Sequence, residues 1–188
     1  MHEDRILINK LKNFENINSN FLTITLILIG SILLAISAKV QVPFWPVPMT
    51  MQTFVIFLIG MTYSIRLSFA TVAFYLFQGA IGLPVFAAGG GVAYLVGPTA
   101  GYLYGMLFAS IVISYLANLG FSKTYFKATV SLLIGSAIIF SFGIIYLGYI
   151  IGFEKAVVAG LLPFIPSELF KIALAVALIP TLHKIITK

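Results

Sequence analysis

The chain has 188 residues, of which 61% are hydrophobic and only 9% charged, and its net charge is +6. A soluble domain carries about 25% charged residues, so this composition, with a mean hydropathy of +1.10, points to an integral membrane protein with a single domain. The absence of cysteine excludes disulfides and thiolate metal sites. The basic residues lie scattered along connections, a pattern that does not suit nucleic-acid binding.

Residues 1–20 are polar and mixed in charge, with Leu7, Leu11 and Phe14 at helical spacing. A cytoplasmic segment forming a short interfacial helix is expected there. Residues 21–188 are expected to form one membrane domain. Phe21–Ala38 carries no charge and is long enough to span a bilayer. A signal peptide is the rival reading, but its apolar core runs to about 7–15 residues, and further spans follow.

Val40–Gln52, VQVPFWPVPMTMQ, holds Pro43, Pro46 and Pro48 and the single tryptophan, Trp45. Proline at this density removes backbone donors and drives the preceding residues toward extended geometry. The stretch is too apolar for a solvated loop, and non-helical backbone at a membrane is tolerated where protein packs it or it lines a cavity. Two readings stand: a pocket wall, or a stiff connector with Trp45 in the interfacial aromatic belt.

Thr50–Ser64 is a short second span of about 22 Å against a hydrocarbon core of about 30 Å. The shortfall suggests a funnel beside the proline stretch, with Gln52 on its wall. From Leu67 to Ser122 there is no charge. Gly79, Gly82, Pro84, Gly89–Gly91 and Gly97-Pro98 break this run. A third helix is expected at Ile65–Ile81, a glycine-rich connection at Gly82–Gly97, and a fourth helix at Pro98–Asn118, with Thr99 satisfying free backbone donors at its start. Gly101 and Gly105 form a GxxxG pair, a close-packing face.

A fifth span is expected at Thr129–Ile150. Gly152–Pro166 reads as another apolar connection. Ser167 is expected to cap a sixth helix running to Ile186, kinked at Pro180. Six spans place both termini on one side, with Arg5, Lys10, Lys12, Arg66, Lys123, Lys127, Lys184 and Lys188. Lys39 and Lys155 lie opposite. The positive-inside bias makes the termini cytoplasmic, so the first, third and fifth connections face outward together and can cap a pocket open to the outside.

Ionisable groups within membrane segments are costly and usually functional. Glu168 and Lys171 are three apart, on one face of the sixth helix. They can neutralise each other, Lys171 can snorkel to the headgroups, or the pair can recognise a ligand. Lys39 ends the first helix. Gln52, Tyr75 and Gln78 are each open to a helix–helix hydrogen bond or a ligand contact. Tyr94 suits either a belt or a pocket. Gly89 and Gly90 suit either a turn or close approach of backbone to ligand. His2 and His183 are isolated, which disfavours a histidine metal site or catalytic site. No GxxxxGK[ST] loop occurs, so any ATP must be bound by another polypeptide.

Four motifs occur together in the outer connections: PVPMTMQT at Pro46–Thr53, GAIGLPVFAAGGG at Gly79–Gly91, GPTAGYLYG at Gly97–Gly105 and PFIPSELFK at Pro163–Lys171. In this order they resemble the BioY family, the biotin-specific substrate-binding (S) subunits of energy-coupling factor transporters. The resemblance runs from Ser31 to Lys171. It implies a six-helix vitamin-binding subunit of a prokaryotic cell membrane, without catalysis or cofactor of its own. Its partners would be biotin, membrane lipid, a transmembrane coupling protein and two cytoplasmic ATPases. The family's lysine before the first loop, motif glutamine, acidic residue and following lysine fall on Lys39, Gln52, Glu168 and Lys171. Here Ser167-Glu168 stands for the family's usual Gly-Asp, and the glycine run lacks the arginine or other polar side chain that many members place there. The coupling protein's AxxxA docking positions fall on Ser31 and Ala35.

Biotin's chemistry suits these residues. Glu168 and Gln52 can accept its ureido N–H groups, a lysine can pair with its carboxylate, and Phe44, Trp45, Phe86 and Tyr94 can pack on the bicycle. Two other readings differ in kind: a self-sufficient biotin carrier, which would transport alone, and an intramembrane enzyme using Glu168 or Lys171. The second lacks a partnered nucleophile or metal set.

Overall fold

A computed structural model describes residues 19–187. The interfacial helix expected in residues 1–20 lies outside them except for its last two residues, which open the first helix. Most of the described chain is helical. Helix α1 runs Ser19–Lys39, α2 Gln52–Thr62, α3 Ile65–Ala80, α4 Val92–Leu95, α5 Ala100–Leu116, α6 Tyr125–Ile151, α7 Phe153–Gly160 and α8 Phe164–Thr187. A π-turn at Ala117–Phe121 extends α5. The proline stretch closes into a two-stranded antiparallel hairpin, β1 Gln41–Val42 and β2 Met49–Thr50, with Gln41 opposite Thr50.

The middle of the bundle is α5, which packs on α2, α3 and α6. Helix α1 lies against α3 and α2, and α8 lies against α6 and α2. Phe57, Leu34, Ile56, Ile113, Leu132 and Ile139 fill the shared interior. Leu28, Ile32 and Ile36 on α1, like Ile134 and Ile145 on α6, are exposed. Apolar residues thus cover both the inside and the outside of the bundle, as lipid surroundings require rather than water.

The expected glycine contact of the fourth span is present. A Cβ on Gly101 would stand 2.5 Å from the Phe142 carbonyl oxygen, and one on Gly105 2.8 Å from Ile139 Cα. The α5 backbone therefore lies directly on that of α6. Gly105→Leu is expected to separate the helices and lower the melting temperature, because the obstacle is backbone and cannot repack. Circular dichroism melts in one detergent would check this.

Among the described residues, α1, α5 with its π-turn, and α6 are long and apolar enough to cross a membrane. Helices α7 and α8 pass together as one span bent by 48°. Helix α2 has 11 residues, about 17 Å of rise, shorter than the expected segment.

Three local expectations are corrected. Gly152–Pro166 is not simply a connection, because it contains α7. Gly152, at φ 90, ends α6, Glu154 sits in the first turn of α7 where the helix dipole favours an anion, and Ala156 is buried. Ser167 does not cap the last helix. That helix begins at Phe164, so Pro166 occupies its first turn, where a missing N–H costs little. The Ser167 hydroxyl instead donates to the Phe164 carbonyl at 3.2 Å. Thr99 precedes α5 but makes no side-chain cap bond. Thr124 does cap α6, accepting from the Lys127 backbone N–H.

Candidate functional site

Glu168 and Lys171 lie one turn apart on α8, each only 4% exposed. The Lys171 ammonium approaches Glu168 Oε2 at 2.7 Å. It also donates to Thr53 Oγ1 at 2.7 Å and to the Thr50 carbonyl at 3.2 Å. The Thr53 hydroxyl in turn donates to Glu168 Oε2 at 2.9 Å. On the other side Ser136, from α6, donates to Glu168 Oε1 at 3.1 Å. One carboxylate thus ties together α2, α6 and α8. Burying a charge is tolerated only when it is paired and hydrogen-bonded, and each charge here has several partners.

A second polar chain starts from Gln52 at the head of α2. Its amide N–H donates to Tyr75 Oη at 2.8 Å, while its carbonyl oxygen accepts from Thr50 Oγ1 at 3.0 Å. Tyr75 in turn donates to the Val85 carbonyl at 3.0 Å. The amide is thereby held in one orientation.

These two polar chains border one small, partly open cavity. Gln52, Thr53, Glu168 and Lys171 supply the polar wall, and Phe86, Tyr94, Tyr102 and Phe164 supply aromatic surface. Glycines seat two of these rings. A Cβ on Gly79 would fall 1.9 Å from Phe86 Cζ, and one on Gly143 2.3 Å from Tyr102 Cε1. Phe86 stacks on Tyr94 and meets Tyr75 edge-on. The Tyr102 hydroxyl donates to the Gly160 carbonyl at 2.8 Å.

Of the residues singled out in the sequence, Gln52, Phe86, Tyr94, Glu168 and Lys171 meet at this cavity. Tyr75 stands one bond behind Gln52. Gln78, Gly89 and Gly90 are outside the lining. A Cβ on Gly90 would meet the Leu83 carbonyl oxygen at 2.1 Å, so that glycine serves the loop's own packing. Lys39 is also outside the lining, and its ammonium donates to the Phe86 carbonyl at 2.6 Å. Trp45 is 81% exposed on the hairpin, while Phe44 reaches in to meet Phe164 edge-on. Ser31 is 1% exposed and faces the bundle, its hydroxyl donating to the Leu28 carbonyl. Ala35 is half-buried beside it.

Sequence reasoning missed Thr53, Ser136 and Tyr102. Thr53 was within reach, since it follows Gln52 in the proline motif and lies on the same helical turn. Ser136 is one of several serines in an apolar span, and nothing local marks it as the partner of a residue 32 positions away.

A helical bundle with apolar surfaces inside and out, and a cavity walled by aromatic rings and a few fixed polar groups, has the form of a membrane receptor for a small molecule. Residues 10–188 match the BioY family, and the chain belongs to it. A Rickettsia prowazekii protein named "Probable biotin transporter BioY" is 36% identical over 168 residues, covering 89% of this chain and 86% of that one. A Thermotoga maritima protein named "Biotin transporter BioY" is 36% identical over 155 residues, 81% of this chain and 90% of that one. The crystal structure of the S-component for biotin from an ECF-type ABC transporter superposes with a TM-score of 0.78 at 26% identity, covering 89% of this chain and 95% of that one. These relatives are named as transporters, not enzymes.

Proposed function

We propose that the chain is the biotin-binding subunit of an uptake transporter, energised by a separate membrane module with two ATPases. The observation that carries this reading is the cavity itself, where Gln52, Glu168 and Lys171 converge between aromatic walls. Biotin needs acceptors for two ureido N–H groups, a donor for the ureido carbonyl, and apolar surface for its bicycle. Glu168 and the Gln52 carbonyl supply the acceptors, Lys171 the donor, and Phe86, Tyr94, Tyr102 and Phe164 the surface. The similarity to a solved S-component for biotin supports the same assignment.

The architecture that goes with it has six spans: α1, α2, α3, α5 with its π-turn, α6, and the bent pair α7–α8. Both termini are cytoplasmic, and the connections carrying the hairpin, α4 and the α7–α8 corner face outward around the cavity. The short α2 is completed across the bilayer by the hairpin. A coupling protein would dock on the outward face of α1, with Ala35 at its edge rather than the inward-facing Ser31.

The test is isothermal calorimetry of the purified chain in nanodiscs with biotin, thiamin and riboflavin. One-to-one heat with biotin alone is expected. Folded protein that gives no heat with biotin would refute the assignment. Trp45 offers a second readout, because it sits on the hairpin whose Val47 and Pro48 line the cavity, and its fluorescence reports that segment.

A further inference from the structure

The connection between α3 and α4 is held in an unusual way. Three consecutive carbonyls each accept a side-chain proton from a different element. Val85 accepts from Tyr75 on α3 at 3.0 Å. Phe86 accepts from Lys39 at the end of α1 at 2.6 Å. Ala87 accepts from the Gln41 amide on β1 at 3.2 Å. The side chain at the centre of this run, Phe86, is fully buried and forms part of the cavity wall.

We propose that Lys39, Gln41 and Tyr75 are positioning residues: they latch Val85–Ala87 to the hairpin and α1, hold Phe86 against the ligand, and so set the ligand's residence time. The ligand part of this inference rests on the biotin-binding reading. Lys39 then acts on the loop and not on the ligand. Its ammonium is a suitable clasp, because a charged donor to a carbonyl is stronger than a neutral one. It also sits at the solvent-accessible rim, where it can release without unfolding a helix. Tyr75 adds a link to the cavity, because its hydroxyl accepts from the Gln52 amide N–H and donates to the Val85 carbonyl of the loop. Removing the Gln52–Tyr75 contact would therefore be felt at Val85. The latched loop also makes the bond from the Gly91 N–H to the Gly79 carbonyl at 2.7 Å and the paired bonds between Phe86 and Gly89. These amides report on whether the loop is shut.

The experiment uses Lys39→Met, Gln41→Leu and the conservative Lys39→Arg in the full chain in nanodiscs. Hydrogen–deuterium exchange is followed without ligand, and biotin dissociation by surface plasmon resonance. The Phe86–Gly91 amides are expected to exchange faster in Lys39→Met and Gln41→Leu, with α5 and α6 unchanged. Biotin should leave Lys39→Met about tenfold faster, the scale of one lost charged hydrogen bond, with little change in association rate. Lys39→Arg should restore both. Unchanged loop exchange in Lys39→Met would overturn the latch whether or not biotin binds. A slower association with unchanged dissociation would also overturn it, and would make Lys39 a steering or contact residue. If the wild-type chain binds no biotin, the biotin reading fails and the exchange data alone decide the latch.

Discussion

Lys171→Met is expected to abolish measurable biotin binding and to destabilise the protein together with it. The substitution leaves the Glu168 carboxylate buried with only the Thr53 and Ser136 hydroxyls. Breaking a buried ion pair from one side typically costs about 3–5 kcal/mol, which corresponds to a factor of roughly 10² to 10³ or more in an equilibrium constant. Loss of binding alone would not separate a ligand contact from a damaged fold. The double variant Glu168→Gln/Lys171→Met does. It removes both charges while keeping side chains of similar length, and exchange of a buried pair for neutral residues is often neutral or stabilising. The double variant should therefore recover its melting temperature yet still fail to bind biotin in calorimetry. Recovery of both would mean that the pair is only structural.

The second large effect is expected at Gly79. Alanine there places a methyl group 1.9 Å from the Phe86 ring, a distance no relaxation of the alanine can relieve. The ring is packed between Tyr75 and Tyr94, so it must leave its site. Overpacking of this kind costs about 1–3 kcal/mol. The displaced ring also removes a cavity wall, so biotin affinity should fall at least tenfold beyond any loss of stability. Gly82 offers the control. It has a positive φ of 98° but open space around its Cβ position, so Gly82→Ala should cost some stability through backbone strain without the loss of affinity. Combining Gly79→Ala with Phe86→Ala should be less harmful than the sum of the two, since the second change removes the obstacle the first one meets. Thermal melts and calorimetry of the four variants would test this.

How far these features could be foreseen differs from residue to residue. The long uncharged runs of α1 and α6 are plain in the sequence, because lipid imposes the same apolar requirement on every position of a span. Glu168 and Lys171 stood out for the complementary reason that charges are rare there. The proline stretch was recognisable as non-helical, but its closure into a hairpin depends on pairing between Gln41 and Thr50 across the turn, which local preferences do not encode. Helix α7 escaped notice because Gly152 and Gly160, which bound it, read equally well as loop residues. Ser31 falls on a docking position of the family that the chain resembles, where a small residue suits close helix contact. The same property lets it face the interior of its own bundle, and only the packing of α1 on α3 distinguishes the two. The polar contact of Ser136 was hidden because it joins two spans with no local signal at either end.

The carboxylate of Glu168 joins three helices at the point where it borders the cavity, so occupying the cavity and assembling the bundle draw on the same contacts. A ligand that engages this junction binds the folded arrangement and not the separated helices. By mass action it then stabilises the whole molecule, by about 2.7 kcal/mol at a concentration one hundred times its dissociation constant. A nutrient that is abundant outside the cell would thus also protect its own receptor against unfolding and proteolysis, and starvation would leave the receptor at its most fragile.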